Sequence, residues 1–398
     1  MRMPKAAMHR PVDPSSLTAP VRPVPLDETD HLAGGRLTID LAALAANWRS
    51  LAARSGPSEC AGIVKGDGYG IGLEAATGTL ADAGCRTFFA ATIAEGLRAK
   101  AVVPEAAVYV LNGFPPGAAA LVADAGLRPV LGSLEEVEDW AALGRSRGRP
   151  LPAALHVDTG MNRLGLARDV ATSVAADPEL RRHLGLTLLM SHLACADTPD
   201  HPLNARQFEA FQAARALFPG VPASLANSAA TLALPATHFD LVRPGIAVYG
   251  GQAVSKRDNP MRPVAVLEGR IIKIREAGAG ESVGYGAAET LSRPSRLAVV
   301  GIGYADGFPR AAGSSDATGG AAGWLAGHRV PLVGRVSMDL LVYDVTDVPP
   351  GAARRGDWIE LFGDHVPVDD VAARAGTIGY EVLTHLGSRF SRDYVGQA

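Results

Sequence analysis

The chain has 398 residues, more than one hydrophobic core ordinarily serves, so two domains are expected. Apolar residues make up 47%, charged residues 20%, and the formal net charge is −3; this is the composition of a soluble globular protein with no basic face for nucleic acid or an anionic membrane. No apolar run reaches the roughly 18 residues of a membrane-spanning helix. The three cysteines, Cys60, Cys85 and Cys195, stand far apart with no disulfide or metal spacing, which predicts a reducing, cytoplasmic setting and no metal.

Residues 1–35 are proline-rich and irregular and read as a flexible tail. They contain no continuous apolar core for a secretory signal, and Asp13, Asp27, Glu28 and Asp30 argue against a transit peptide. From Arg36 onward, apolar strands alternate with alanine-rich helical stretches such as Leu73–Ala83, Leu134–Leu143 and Ala205–Leu217. Strands are expected to end near Lys65, Thr92, Asn112, Gly132, Thr159, His192, Asn227 and Arg243. Eight strand–helix units in about 230 residues predict an α/β fold, a (β/α)8 TIM barrel over residues 36–264. A doubly wound open sheet is the alternative. Its glycine fingerprint is missing, because Gly66/Gly68 and Gly301/Gly303 both lack a third glycine at the right spacing.

After Val264 the pattern changes to short β-branched runs bounded by Gly, Pro and Asp: Ala265–Ile274, Arg296–Ile302, Arg329–Val336, Leu340–Val345 and Trp358–Phe362. These predict a mainly β C-terminal domain over 265–398, with helical stretches at Asp369–Ala375 and Tyr380–Leu386.

Chemistry in such a barrel sits where the strands end. Lys65 ends the first strand and opens the glycine-rich run Gly66-Asp67-Gly68-Tyr69-Gly70, placing a primary amine beside open space; an amine so placed can form a Schiff base with an aldehyde. Asp158, Thr159 and Arg163 follow the fifth strand, His192 ends the sixth, Asn227 and Ser228 the seventh, and Arg243 the eighth. Each has a plainer reading alone: His192 as a core histidine, Ser228 as a helix cap, Arg243 as half of an ion pair. Together they point to one shared ligand. Asn227-Ser228 and Gly245-Ile246 occupy the common phosphate position of these barrels, and a phosphate there with an amine at strand one describes pyridoxal 5′-phosphate.

The sequence resembles the alanine racemases, of the barrel class of pyridoxal-phosphate enzymes. The likeness runs from about Arg36 to Arg392. It is carried by Val64-Lys65-Gly66-Asp67-Gly68-Tyr69-Gly70, by the run from His156 to Gly165, by Ser191-His192-Leu193-Ala194 and Asn227-Ser228-Ala229-Ala230, and by the run from Val242 to Gly250. The β domain adds Val283-Gly284-Tyr285-Gly286, Gly303-Tyr304-Ala305-Asp306-Gly307, the run from Gly334 to Asp339, and Ile378-Gly379-Tyr380-Glu381.

The resemblance implies interconversion of L- and D-alanine, supplying D-alanine for cell-wall peptidoglycan. Alternatives are a racemase for serine or a broader set of amino acids, and a non-catalytic pyridoxal-phosphate protein. Lys65 would carry the cofactor and act as one base. Tyr285, reaching into the partner's barrel, would be the other, which makes the protein a homodimer with shared active sites. Tyr69, Ser228, Gly245, Ile246 and Tyr380 match phosphate-binding positions, alongside Asn227. Arg243 would face the pyridine nitrogen and His192 the catalytic tyrosine. Arg163 and the backbone N–H of the partner's Met338 would bind the substrate carboxylate. Tyr285 and Tyr380 would narrow the entrance to little more than a methyl group. Tyr304, Arg310, Arg335, Ile378 and Asp197 match positions along the approach.

The triplet Asp158-Thr159-Gly160 also resembles an aspartic-protease motif, but that chemistry needs two such carboxylates and the chain has one triplet. One departure from the resemblance matters. Many members of that family place a carbamylated lysine where this chain has His156, and an imidazole forms no stable carbamate of that kind. Activity is therefore expected to be the same in bicarbonate-free buffer as with added bicarbonate. Recovery of lost activity on adding bicarbonate would contradict the expectation.

Overall fold

The structure is a computed structural model and describes residues 32–396. The tail expected over residues 1–35 lies outside the described residues up to position 31. The first strand, β1 (Gly35–Asp40), alternates buried and half-buried residues, the period of a strand with one covered face. Asp40 then accepts a hydrogen bond from the backbone of Ala43 (2.9 Å) and caps α1 (Leu41–Arg54).

The barrel follows. Its first strand is split into β2 (Glu59–Cys60) and β3 (Gly62–Ile63). Next come β4 (Thr87–Ala90), β5 (Ala107–Val110), β6 (Arg128–Leu131), β7 (Leu151–His156), β8 (Leu184–Met190) and β9 (Ala223–Ser224), which with β3 form one seven-stranded parallel sheet in sequence order. The eighth strand, β10 (Leu241–Val242), pairs in parallel with β2, Leu241 opposite Glu59. Two backbone hydrogen bonds join it to the β9 side, Asp240 N to Ala223 O (3.0 Å) and Arg243 N to Ala226 O (2.9 Å). The curled sheet closes in this way. Its strands are covered on both faces, hence the unbroken burial of Ala153, Ala154 and Leu155.

The helices between strands are α2 (Leu73–Ala83), α3 (Ile93–Val102), α4 (Ala119–Asp124), α5 (Leu134–Ser146), α6 (Arg168–Ala176), α7 (Pro178–His183), α8 (Pro202–Leu217) and α9 (Ser228–Ala233). The sequence suggests eight strand–helix units, but β10 leads to no helix of its own within the barrel. Instead α1, from the start of the chain, packs against α2 and α9 and fills that place. Asn47 fastens it: its amide donates to Val248 O (3.2 Å) and Arg262 O (2.8 Å), and its carbonyl accepts from Arg262 N (2.9 Å).

The second domain is built on the long strand β11 (Ala265–Ala277). It adds β12 (Ser282–Val283), β13 (Glu289–Thr290), β14 (Ser295–Val300), β15 (Ala322–Leu325), β16 (His328–Pro331), β17 (Leu341–Asp344) and β18 (Trp358–Phe362), then α10 (Val368–Arg374), α11 (Gly379–Thr384) and β19 (Ser391–Val395). The main sheet has the order β16-β15-β18-β11-β1-β19, with β14 and β17 attached through β11. β1 therefore lies in the second sheet, antiparallel to β11 and parallel to β19, although the expected boundary gives residues 36–40 to the barrel. Its half-covered pattern suits this sheet and not a barrel wall. Among the described residues no helix is long and apolar enough to cross a membrane.

The two domains meet at the glycine-rich run after Lys65. Gly66 (φ 63°), Asp67 (φ 53°), Gly68 (φ 62°) and Tyr69 (φ 53°) form one turn of left-handed helix, ended by Gly70 (φ 83°). Left-handed backbone costs an L-residue about 1–2 kcal/mol, so glycine at 66 and 68 roughly halves the cost of the turn. The second domain grips its far end. Arg392 Nη1 donates to Gly70 O (2.8 Å), and Tyr394 Oη donates to Ile71 O (2.7 Å). At Gly70 a Cβ would lie 2.0 Å from Leu383 O of α11. Gly70→Ala should therefore lose roughly 2–4 kcal/mol, the left-handed cost plus overpacking. Urea denaturation of the purified variant checks this, and a loss below about 1 kcal/mol would show that the seam is loose.

Candidate active site

A cavity of about 460 Å³ opens at the C-terminal ends of the barrel strands. All ten residues singled out from the sequence as cofactor ligands line it: Lys65, Tyr69, Arg163, His192, Asn227, Ser228, Arg243, Gly245, Ile246 and Tyr380. His156 lines it too, as do Asn112 and Leu111 beyond β5, which sequence reasoning left without a role although Asn112 marks an expected strand end.

The loops beyond β9 and β10 are cross-tied. Asn227, not Ser228, caps α9, its Oδ1 accepting from Ala230 N (3.1 Å). Ser228 Oγ is thereby left to accept from Gly245 N (2.8 Å) and Ala247 N (3.3 Å), which fixes one loop against the other. The Tyr69 hydroxyl reaches into the same corner. A Cβ on Gly245 would stand 2.1 Å from it, so only glycine lets the loop approach this closely. Tyr69 in turn stacks on Tyr249 (4.4 Å between ring centroids), whose hydroxyl donates to Ile63 O at the end of β3 (2.8 Å).

Arg243 is buried. Its Nη2 donates to Ser191 O (2.6 Å) and faces His192 Nδ1 at 3.5 Å, and its Nη1 donates to Ser224 Oγ. Burial lowers its proton affinity from the ordinary guanidinium value, yet the group stays protonated at neutral pH. Because a guanidinium only donates, Nδ1 of His192 must be the unprotonated nitrogen, and the imidazole carries its hydrogen on Nε2. Gln207 of α8 steadies this region from behind: Nε2 donates to His192 O (2.9 Å), and Oε1 accepts from Ala194 N (2.9 Å).

Asp158 performs local work. Its Oδ1 accepts from Gly160 N and Met161 N (both 2.9 Å) and from Asn162 N (3.2 Å), so it folds the loop that presents Arg163. A carboxylate so engaged does not serve as half of a protease dyad. Neither Lys65 nor Arg163 has a carboxylate ion-pair partner among the described residues.

The cavity lining is rich in basic groups and contains no carboxylate. Burial, Arg163 and Arg243 all lower the proton affinity of Lys65, against a partial opposing pull from Glu95. His192 is held well below its usual value by burial and by the cations Arg243 and Arg163. Burial pushes Tyr380 up to about 12, with help from Asp197 and Asp369. A donor set of this kind fits a ligand bearing a phosphate and a carboxylate, and Lys65 offers it an amine that is readily neutral.

Two residues expected at the site are not in this cavity. Tyr285, in the turn after β12, is 71% exposed, and Met338 is 53% exposed. Glu289 of β13 ties their loops together by accepting from Gly334 N (2.8 Å) and from the Ser314 hydroxyl. Arg335 lies against Gly286, where a Cβ would meet Nη1 at 2.9 Å.

Both domains of the chain are similar to known proteins. Residues 39–253 match the family model for the alanine racemase N-terminal domain, and residues 264–394 match that for the C-terminal domain. An alanine racemase of Methylobacterium nodulans is 51% identical over 362 residues, 91% of this chain and 96% of that one. A biosynthetic alanine racemase of Agrobacterium fabrum is 51% identical over 379 residues, 93% and 97% of the two chains. The crystal structure of alanine racemase from Bartonella henselae, with covalently bound pyridoxal phosphate, superposes with a TM-score of 0.86 at 39% identity, covering 91% of this chain and all of that one.

His156 gives the site a measurable pH signature. Burial, then Arg243 and Arg163, hold its pKa at about 4, against 6.5 for free imidazole. Above pH 6.5 both folded and unfolded forms are neutral there. Below it the unfolded chain binds a proton that the folded chain refuses, so stability falls until about pH 4. Replacing His156 by Gln should remove up to roughly 3 kcal/mol of that acid-side loss. Urea denaturation from pH 7 to pH 4.5 reads the slope, and identical slopes in the two proteins would refute the assignment.

Proposed function

The chain belongs to the alanine racemase family and racemises alanine with pyridoxal phosphate, and we propose that Lys65 and Tyr285 are its two bases, supplied to each active site by different chains. The observation that carries this reading is the division of the site. The carboxylate-free cavity holds Lys65, while Tyr285 and Met338 stand exposed on the second domain. A second copy of the chain would bring them over the cavity mouth and cover their apolar surfaces.

When bound, pyridoxal phosphate supplies the electron sink that makes the α-hydrogen of alanine removable. Everything else falls to the chain. Tyr69, Asn227, Ser228, Gly245, Ile246 and Tyr380 would hold the phosphate end. Arg243, which cannot readily give up its proton, would face the ring nitrogen and leave it unprotonated, which would restrain side reactions that need a fuller sink. Arg163 and the backbone N–H of the second copy's Met338 orient the substrate carboxylate. Lys65 Nζ handles the proton on one face of the α-carbon, and the phenol of Tyr285 handles it on the other, set by His192. Inversion needs removal from one face and delivery to the other, and two fixed groups do this without either having to move. The reading places the protein in the cytoplasm as a homodimer that supplies D-alanine for peptidoglycan. Its working parts are a barrel closing at 264 and a β domain from 265 that also takes in residues 35–40.

Mixing two damaged chains tests the shared site. Lys65→Ala and Tyr285→Phe should each lose a factor of about 100–10,000 in rate. After the two are unfolded together and re-paired, a hybrid dimer has one site with both bases intact, so activity should climb towards about a quarter of the native value. In heavy water, Tyr285→Phe should slow α-hydrogen exchange from one alanine enantiomer more than from the other. No recovery on mixing, with equal loss for both enantiomers, would overturn the two-chain, two-base arrangement.

A further inference from the structure

One local device occurs twice in the barrel. At α3, Thr92 accepts from Glu95 N (3.3 Å), and Glu95 Oε2 reaches back to accept from Ala91 N (2.9 Å) and Thr92 N (3.3 Å). At α5, Ser133 accepts from Glu136 N (3.3 Å), and Glu136 Oε2 accepts from Gly132 N (2.7 Å) and Ser133 N (3.2 Å). Both are capping boxes, which need only one oxygen of the glutamate. In each the second oxygen crosses to the loop of the preceding strand. Glu136 Oε1 accepts from Phe114 N (3.4 Å) and would lie 1.9 Å from a Cβ on Gly113. Glu95 Oε1 accepts from Gly66 N (2.7 Å) and Asp67 N (3.3 Å).

Gly66 and Asp67 follow Lys65 directly and begin the left-handed turn. Strained backbone persists only where its surroundings over-determine it. The far end of this turn is gripped by Arg392 and Tyr394, and its middle by Arg98, whose Nη2 donates to Asp67 Oδ1 (2.7 Å). Its first residues are held by Glu95. The other charged and titratable groups acting on or sharing the cavity with Lys65 are Arg163 beyond β7, Arg243 beyond β10, His156, His192, Tyr69 and Tyr380, and none of them is a carboxylate.

We propose that Glu95 is a positioning residue for Lys65, holding the start of the turn on which the amine stands and setting a negative charge against it. The proposal rests on Lys65 being the cofactor-bearing amine. Its two parts separate by substitution. Glu95→Gln keeps the length and loses the charge. Glu95→Asp keeps the charge but is a methylene too short to span both strand ends.

The test uses the full chain freed of cofactor, pulse-acetylated with sulfo-N-hydroxysuccinimide acetate across pH 6–11, and reads each lysine by peptide mass spectrometry. Pyridoxal phosphate affinity is measured separately by equilibrium dialysis. In Glu95→Gln the half-labelling pH of Lys65 should fall by about one unit, the direction expected when an opposite charge is removed. Lys273 and Lys256 should not move, and Glu136→Gln should leave Lys65 unchanged. In Glu95→Asp the half-labelling pH should stay native while cofactor affinity weakens about tenfold. If the Gln variant does not fold, the Asp variant alone decides. Unaltered Lys65 labelling in Glu95→Gln, or native cofactor affinity in Glu95→Asp, would overturn the proposal. Borohydride fixation of the cofactor on a lysine other than Lys65 in the native chain would instead overturn the reading beneath it.

Discussion

The structure depends on one turn of backbone running the wrong way. From Gly66 to Tyr69 the chain winds left-handed, and every functional feature near it follows from that choice. A right-handed continuation from β3 would carry the chain along an ordinary βα loop. The reversal instead leaves Lys65 at the rim of the barrel and drives Tyr69 back into the cavity, where it stacks on Tyr249 and meets Gly245. The cost is met from both domains. Glu95 and Arg98 belong to the barrel helix α3, whereas Leu383, Arg392 and Tyr394 belong to the second domain. The amine and the corner where Tyr69 meets Gly245 are therefore placed by the seam between domains, with residues of both holding the turn.

The second constraint is electrostatic. Lys65, Arg163, Arg243 and two histidines share a cavity lined by no carboxylate. Burial first, and after it the repulsion of neighbouring cations, shifts Lys65 and both histidines towards neutrality. The arrangement is costly for the free chain and favourable for a ligand bringing a phosphate and a carboxylate. It also fixes a polarity. Arg243 remains charged and spends its donors on Ser191 and Ser224, so the neutral His192 beside it has a defined tautomer with one N–H facing onward. A carboxylate in place of Arg243 would invert that chain of donors and the chemistry with it.

Much of this was legible in the residues. The eight expected strand ends fall within a few positions of the observed ones, because Lys65, His192, Asn227 and Arg243 are polar residues that stop apolar runs buried on both faces. Trp358–Phe362 and Leu73–Ala83 appear with the expected bounds, where turn residues and helical spacing are unambiguous. What was hidden is non-local. Nothing in Gly35–Asp40 announces that its partners are β11 and β19, more than 220 residues away, since strand pairing leaves no mark on a single strand. For the same reason no helix is expected from the sequence over Leu41–Arg54, the segment that completes the barrel layer as α1. Glu95 was hidden differently. The Thr-x-x-Glu spacing predicts a capping box, but the second oxygen's reach to Gly66 needs coordinates.

The exposed residues complete the argument. Tyr285 and Met338 stand in water on the second domain, although their loops are tightly specified by Glu289, Gly286 and Gly303. A loop held this firmly around an exposed aromatic tip is built to present it to something. The barrel cavity holds the amine of Lys65 and the guanidinium of Arg163 but neither Tyr285 nor Met338. On the reading proposed above, two copies related by a two-fold axis would cover the exposed loops and complete the cavity at once, because an isologous contact would deliver each tyrosine to the other copy's cavity. Inverting a stereocentre with groups that do not move needs one on each side of the carbon. On the proposed reading Lys65 of one chain is the first of these groups and Tyr285 of a second chain the other, which is why each chain would carry its tyrosine outward and its amine inward.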